Sequence, residues 1–227
     1  MKNLTIILIG GLFLASCGSI PTQTKLEAYP AMYDDRQPLS VLVIPAINRT
    51  TAADATDYFN VTITEPLSNL GYYTMPVEIV KDIFLKEGIV DSQMIKGIPT
   101  SVFRKNFGAD AVLFVTINAW DKNYIVISGN VTVSMEYVML STDSNEILWQ
   151  YSATQVIDTT ADSSGFIIAD LIATALTTAT TDYVPIAKQV NYQAFAGLPH
   201  GQYSSLHRTD MEQAILVSLK EAATDEN

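Results

Sequence analysis

Two histidines, His200 and His207, are the only imidazoles in 227 residues. They sit seven positions apart in one late loop, with Asp210 just beyond. A metal centre needs partners at fixed spacing, such as two histidines four apart on a helix, or paired cysteines. This pair offers neither, and no metal or other cofactor is expected. Nucleophilic catalysis would need a serine on a strand-to-helix turn. Ser163, Ser164 and Gly165 do not make G-x-S-x-G, and there is no phosphate-binding loop and no dinucleotide fingerprint. The carboxylates are scattered, and no pair is placed to shift its pKa. The chain is therefore not expected to be an enzyme. One reactive group stands apart: Cys17, the single thiol.

Cys17 follows a leader. Lys2 precedes an apolar run from Leu4 to Ala15 of about a dozen residues, too short to span a bilayer and long enough for a signal-peptide core. The order Leu14-Ala15-Ser16-Cys17 resembles the bacterial lipobox. In lipoproteins of that type the peptide bond before the cysteine is cut and the cysteine is acylated. The resemblance implies that residues 1–16 are a signal peptide and that Cys17 carries lipid, palmitate included. A lipid-bearing thiol makes no disulfide, which suits a chain with no second cysteine in an oxidising compartment. Gly18 follows; an aspartate there would resemble an inner-membrane retention signal, so the outer membrane is expected, on its periplasmic side.

Removing residues 1–16 takes away Lys2 alone among the charged residues, so a formal net charge of −11 becomes −12. Such a chain is not drawn to nucleic acid, and any membrane contact falls to the lipid rather than to charge. Hydrophobic content of 48% is enough for a packed core.

Residues 17–38, with three prolines after the lipidated cysteine and no sustained period, read as a flexible tether. Residues 39–227 read as one domain. Residues 39–48 are a continuous apolar run and predict a central strand covered on both faces. A helix follows over 53–70, with Phe59, Ile63, Leu67 and Leu70 near a 3.6 period and Pro66 bending it or starting a second piece. A short strand at 71–76 leads to a helix at 77–87 that faces Val77, Val80, Phe84 and Leu85 inward. A third helix spans 100–107 and stops at Gly108, before a strand at 109–120. The segment 124–141 is β-rich and alternates, with Val131, Val133, Met135, Tyr137 and Met139 on one face. Residues 142–146 are a turn and 147–158 the return strand. Ile168, Leu171, Ile172, Ala175, Leu176 and Ala179 form a helical stripe. Residues 191–205 read as a loop, and 211–222 as a closing helix. The class is α/β: a mixed sheet with helices packed on it, β-α-β-α-α-β in the first half, then an antiparallel meander and C-terminal helices. Tyr29, Tyr33, Tyr72, Tyr73, Tyr192 and Tyr203 lie in tether, turn or loop contexts, where aromatic residues either serve interfaces or are partly buried.

The blocks IPAINRTT, ATDYFNVTITEPL, GYYTMP and FGADAVLFVTI, in that order, are similar to a family of outer-membrane lipoproteins that includes a neisserial surface-antigen lipoprotein. The late loop GLPHGQYSS resembles the family's too, with Gln202 where a proline is expected. The resemblance covers nearly all of the mature chain. It implies a fold like the amino-terminal domain of the Tol-system periplasmic protein and the periplasmic domain of curli-secretion pore lipoproteins. It brings no catalytic residue. It implies an accessory in envelope assembly or export that acts through protein–protein contacts, with other envelope lipoproteins as partners, a pore-type lipoprotein among them, and possible self-association. The alternative is a small-ligand binding module. Its site would be the crevice at the carboxyl ends of the strands, near Asn48, Arg49, Thr50 and Trp120.

Overall fold

The computed structural model describes residues 22–125, 128–158 and 183–216. Cys17, the leader and the apolar stripe at 168–179 lie outside the described residues.

The expected first strand is two strands, β2 (Ser40–Val43) and β3 (Ile47–Asn48). Pro45, which has no N–H to give a ladder, lies between them. Both pair in parallel with β5 (Ala111–Ile125). On its other side β2 takes the short parallel strand β4 (Tyr73–Thr74). Beyond β5 the sheet turns antiparallel through β6 (Ser128–Ser141) and β7 (Ile147–Asp158), giving the order β4-β2-β5-β6-β7 with β5 in the middle. The mixed α/β architecture is the one expected.

Residues 121–123 are not a break between two strands. β5 runs through them, with Asp121 opposite Thr132 and Lys122 opposite Val131, and the ladder closes with Ile125 opposite Ser128. The register shifts between Ile117 and Ala119, so a bulge near Asn118 redirects the strand. The alternation on β6 holds: Val131, Val133, Met135, Tyr137 and Met139 are all buried.

One face of the sheet packs against α2 (Ala55–Thr62), α3 (Thr64–Asn69) and α6 (Val184–Phe195), around Phe59, Leu67, Tyr137, Trp149, Val190 and Phe195. The other packs against α4 (Val77–Lys86) and α5 (Thr100–Phe107), around Leu42, Ile44, Val80, Phe84, Phe103 and Val112. From Val41 to Ile47 the run is thus buried on both sides, as its composition requires, while Leu39 at its start is exposed. Pro66 falls in the first turn of a separate helix, α3, where its missing N–H costs nothing.

Four readings need correction. Leu85 points outward while Val77, Val80 and Phe84 are buried; the inward face of α4 closes after one turn between each contact. Residues 191–195 are the last turns of α6, not loop, because Val190, Ala194 and Phe195 share its buried face. The closing helix does not begin at 211: residues 211–213 are turn-like and β8 (Ala214–Leu216) is a strand. Residues 217–222 lie outside the described part. The fourth concerns the tether. From Thr22 onward it belongs to the fold, because β1 (Thr22–Thr24) pairs antiparallel with β8 and α1 (Lys25–Ala28) follows directly. That ribbon supplies backbone partners to both segments, which is why neither is free coil or helix. Ala31, Met32 and Tyr33 behind it are buried in the main core.

Candidate functional site

The carboxyl ends of the parallel strands form one end of the molecule. The chain leaves β2–β3, reaches β4 on one side, and returns past β2 to β5 on the other. The crevice beyond β2–β3 is therefore the topological switch point, the usual ligand position in open α/β sheets. Asn48 holds the loop there. Its carboxamide oxygen accepts from the Thr50 N–H at 2.9 Å and the Thr50 hydroxyl at 2.8 Å, and its amide donates to Ala52 O at 2.6 Å. Arg49 is exposed and its N–H extends the ladder to Ile117 O.

An open groove of about 690 Å³ lies beside this loop, lined by residues 51–54, residues 120–122 and Thr132. Of the four expected residues, Trp120 lines it; Asn48, Arg49 and Thr50 shape the adjoining turn. Trp120 is buried among Tyr58, Phe59 and Tyr183, with ring centroids 5.6 to 6.2 Å away, and its indole N–H has no hydrogen-bond partner among the described residues. Lys122 sits 4.0 Å above the Tyr183 ring and 3.8 Å from the Asp54 carboxylate. The Tyr58 hydroxyl, donating at 2.6 Å, and behind it Lys122 hold the Asp54 carboxyl below its ordinary pKa.

The opposite end holds the late loop with His200, His207 and Asp210, where no site was expected from sequence, and it carries a dense polar network. Lys25 and Asp210, 185 positions apart, form a buried ion pair at 3.0 Å with side-chain exposures of 2% and 7%. The ammonium also donates to Leu198 O at 3.0 Å. The other carboxylate oxygen accepts from the Tyr33 hydroxyl at 3.2 Å, and the His200 N–H donates to the first, also at 3.2 Å. Burial raises the Asp210 pKa; the hydrogen bond and charge of Lys25, with the His200 N–H and Tyr33, outweigh it, and the carboxyl stays below its usual range. Burial and the Asp210 charge push the Tyr33 hydroxyl well up. Gln37 donates to His200 O, Tyr72 to Pro199 O and Arg208 to Tyr33 O.

The histidines serve this loop. His200 Nδ1 lies 3.2 Å from the Ser204 hydroxyl and His207 Nδ1 lies 3.3 Å from His200 O. Among the described residues no three His, Cys, Asp or Glu side chains converge as a metal needs. A sequence signal for the network was present. T-K-L-E at 24–27 is a capping-box pattern, and the structure makes both of its bonds: Glu27 N–H to the Thr24 hydroxyl at 3.2 Å and Thr24 N–H to the Glu27 carboxylate at 2.8 Å. Nothing in the pattern showed where Lys25 would point.

Residues 28–202 match the model of the family described as "Putative lipoprotein GNA1162-like", and the chain belongs to that family. It is 27% identical over 153 residues to Putative lipoprotein NMB1124/NMB1162 of Neisseria meningitidis serogroup B, covering 67% of this chain and 70% of that one. The fold is similar to the crystal structure of lipoprotein GNA1162 from Neisseria meningitidis, with a TM-score of 0.52 and 25% identity over 61% of this chain and 95% of that chain. A weaker likeness, with a TM-score of 0.48 and 13% identity, is to the PelC dodecamer from Paraburkholderia phytofirmans over 81% of this chain and 98% of that one. The protein is thus a member of a lipoprotein family, and its relatives are named as lipoproteins rather than as enzymes.

Proposed function

We propose that this protein is a lipid-anchored accessory of the bacterial envelope that works by holding other proteins, not by catalysis. Residues 1–16 are removed, Cys17 is acylated, and the domain stands on the periplasmic side of the outer membrane. Its partners are other envelope lipoproteins, a pore-type lipoprotein among them, and further copies of itself. The observation that carries this reading is membership of a lipoprotein family by a chain with a lipobox-like Leu14-Ala15-Ser16-Cys17. The buried polar groups around Lys25 and Asp210 are used up in holding chain segments together, as in a scaffold.

Crosslinking and pull-down from intact envelopes tests it, comparing wild type with Cys17→Ala. Recovery of a pore-type lipoprotein, or of the protein itself as a multimer, is expected from wild type and lost without the anchor. Recovery of nothing specific from either strain sinks the reading.

One observation favours a second reading, a small-ligand module. The switch-point groove carries an unpartnered indole N–H in its wall residue Trp120 and a cation, Lys122, at its rim. A saturable thermal shift with envelope fragments or nucleotides, lost in Lys122→Met, is the result it requires.

A further inference from the structure

The expected tether is short once the fold begins at Thr22. Cys17 and Thr22 are five residues apart, and five extended residues reach no more than about 18 Å. Thr22 is itself held, through β1–β8 and the Lys25–Asp210 pair, to the late loop. That loop lies at the amino-terminal ends of β2 and β4: the Gly201 N–H donates to Leu70 O at 2.8 Å and the Tyr203 N–H to Gly71 O at 3.2 Å. An acylated Cys17 therefore draws this end of the domain, and not the switch-point end, against the bilayer.

The same end exposes apolar side chains on segments bonded to one another. Tyr203 is 68% exposed, Tyr73 60% and Leu206 52%, with Leu39 and Leu26 about two-fifths exposed. The Tyr73 N–H donates to Leu39 O, and the Leu26 N–H to Met211 O. Tyrosine and leucine displayed together on a fixed backbone are the chemistry of a membrane interface, where an aromatic ring sits at headgroup level and an aliphatic chain beneath it. The arginines nearby are committed, Arg36 to both Asp34 and Glu146 and Arg208 to Tyr33 O, and the remaining exposed charges on these segments include the carboxylates of Asp35 and Glu212. Anionic lipid is not what this surface seeks.

We propose that the end of the domain built from the late loop and the starts of β2 and β4 rests in the headgroup region of the membrane that holds the Cys17 acyl chains, with Tyr203 and Leu206 inserted. This rests on the acylation of Cys17. The domain then stands with its switch-point groove turned away from the lipid, open to soluble partners.

The test uses the full-length lipoprotein reconstituted in phosphatidylethanolamine–phosphatidylglycerol vesicles. Cys17 is the only native cysteine, so an acylated chain bearing Leu206→Cys has one free thiol. An environment-sensitive fluorophore there is quenched by shallow spin-labelled lipid at least threefold more than the same fluorophore at Val156→Cys or Asp121→Cys. Raising the salt leaves the ratio unchanged. In the unlabelled protein, Tyr203→Ser with Leu206→Ser speeds exchange between vesicles severalfold while the circular dichroism spectrum is kept. Mass spectrometry of the Cys17 peptide separates the two readings. Bare Cys17 overturns the anchor and this proposal together. Acylated Cys17 with equal quenching at the three positions overturns the docking alone.

Discussion

The two ends of this sheet are built on opposite plans. At the amino-terminal end every charge in the Lys25–Asp210 network is buried and answered by a donor or acceptor. The backbones there touch: a methyl on Gly201 would lie 2.3 Å from Gly71 O, and one on Gly71, at φ +88°, would lie 2.3 Å from Ser204 N. At the carboxyl end the groove is open, its Lys122–Asp54 pair is long and solvated, and a buried indole N–H lacks a partner among the described residues. The first end holds a fixed shape. The second presents an open groove rimmed by the partly exposed side chains of Lys122 and Asp54.

Removing one member of the buried pair is the hardest blow to that contrast. Asp210→Ala leaves a buried ammonium unpaired and lowers stability by about 3–5 kcal/mol in urea unfolding, whereas Asp54→Ala at the other end costs less than about 1 kcal/mol. The double change Lys25→Met with Asp210→Leu recovers most of the loss. If the two single variants cost the same, the contrast is wrong.

Acid sharpens it without mutation. The Asp210 carboxyl has a lowered pKa in the fold, so its contribution is complete above the ordinary aspartate value of about 4 and disappears as pH falls through the folded value. Hydrogen exchange at the Lys25 and Leu26 amides, which bond Gln213 O and Met211 O, is expected to accelerate in acid before that of the β5–β6 ladder. Simultaneous loss of both would show that the clamp formed by the β1–β8 ribbon and the Lys25–Asp210 pair is not a separate unit.

Steric crowding gives a smaller effect. Gly201→Ala is expected to cost about 1–3 kcal/mol by forcing the loop off Gly71. Gly97→Ala, where a methyl meets open space, changes the unfolding free energy in urea by less than about 0.5 kcal/mol. Trp120→Phe is milder than a core truncation: it gives up edge packing and also an unpaired polar group, and the net cost stays below about 1.5 kcal/mol in the same assay. Lys122→Met is the smallest change, within about 1 kcal/mol, because a solvated ion pair and a cation–ring contact are all it removes.

Much of the fold is legible in the residues. The apolar run at 39–48 is long enough to demand two covered faces, and the period-two pattern from Val131 to Met139 permits one buried face only. Pro66 and Gly108 sit where helices must start or stop. The switch-point crevice follows from the order of strands and helices, so Asn48 and Trp120 could be named, though the groove is lined by residues 51–54 rather than 48–50. The clamp was hidden because its halves are short, irregular and 185 positions apart. Local pattern carries no information on which distant segment answers a three-residue strand, and prolines at 30 and 38 mimic a linker.

The sequence by itself determines the class of fold, the acidic charge and the single thiol at Cys17 that points to a lipid anchor, because periodicity, composition and a local motif are properties of neighbouring residues. The tertiary structure alone decides that the supposed tether joins the domain from Thr22 onward, that Lys25 and Asp210 meet in a buried pair, and that Tyr203 and Leu206 are exposed on the late loop. Those facts depend on contacts between segments far apart in the chain, where the cost of burying a charge is met only by a partner that folding brings to it.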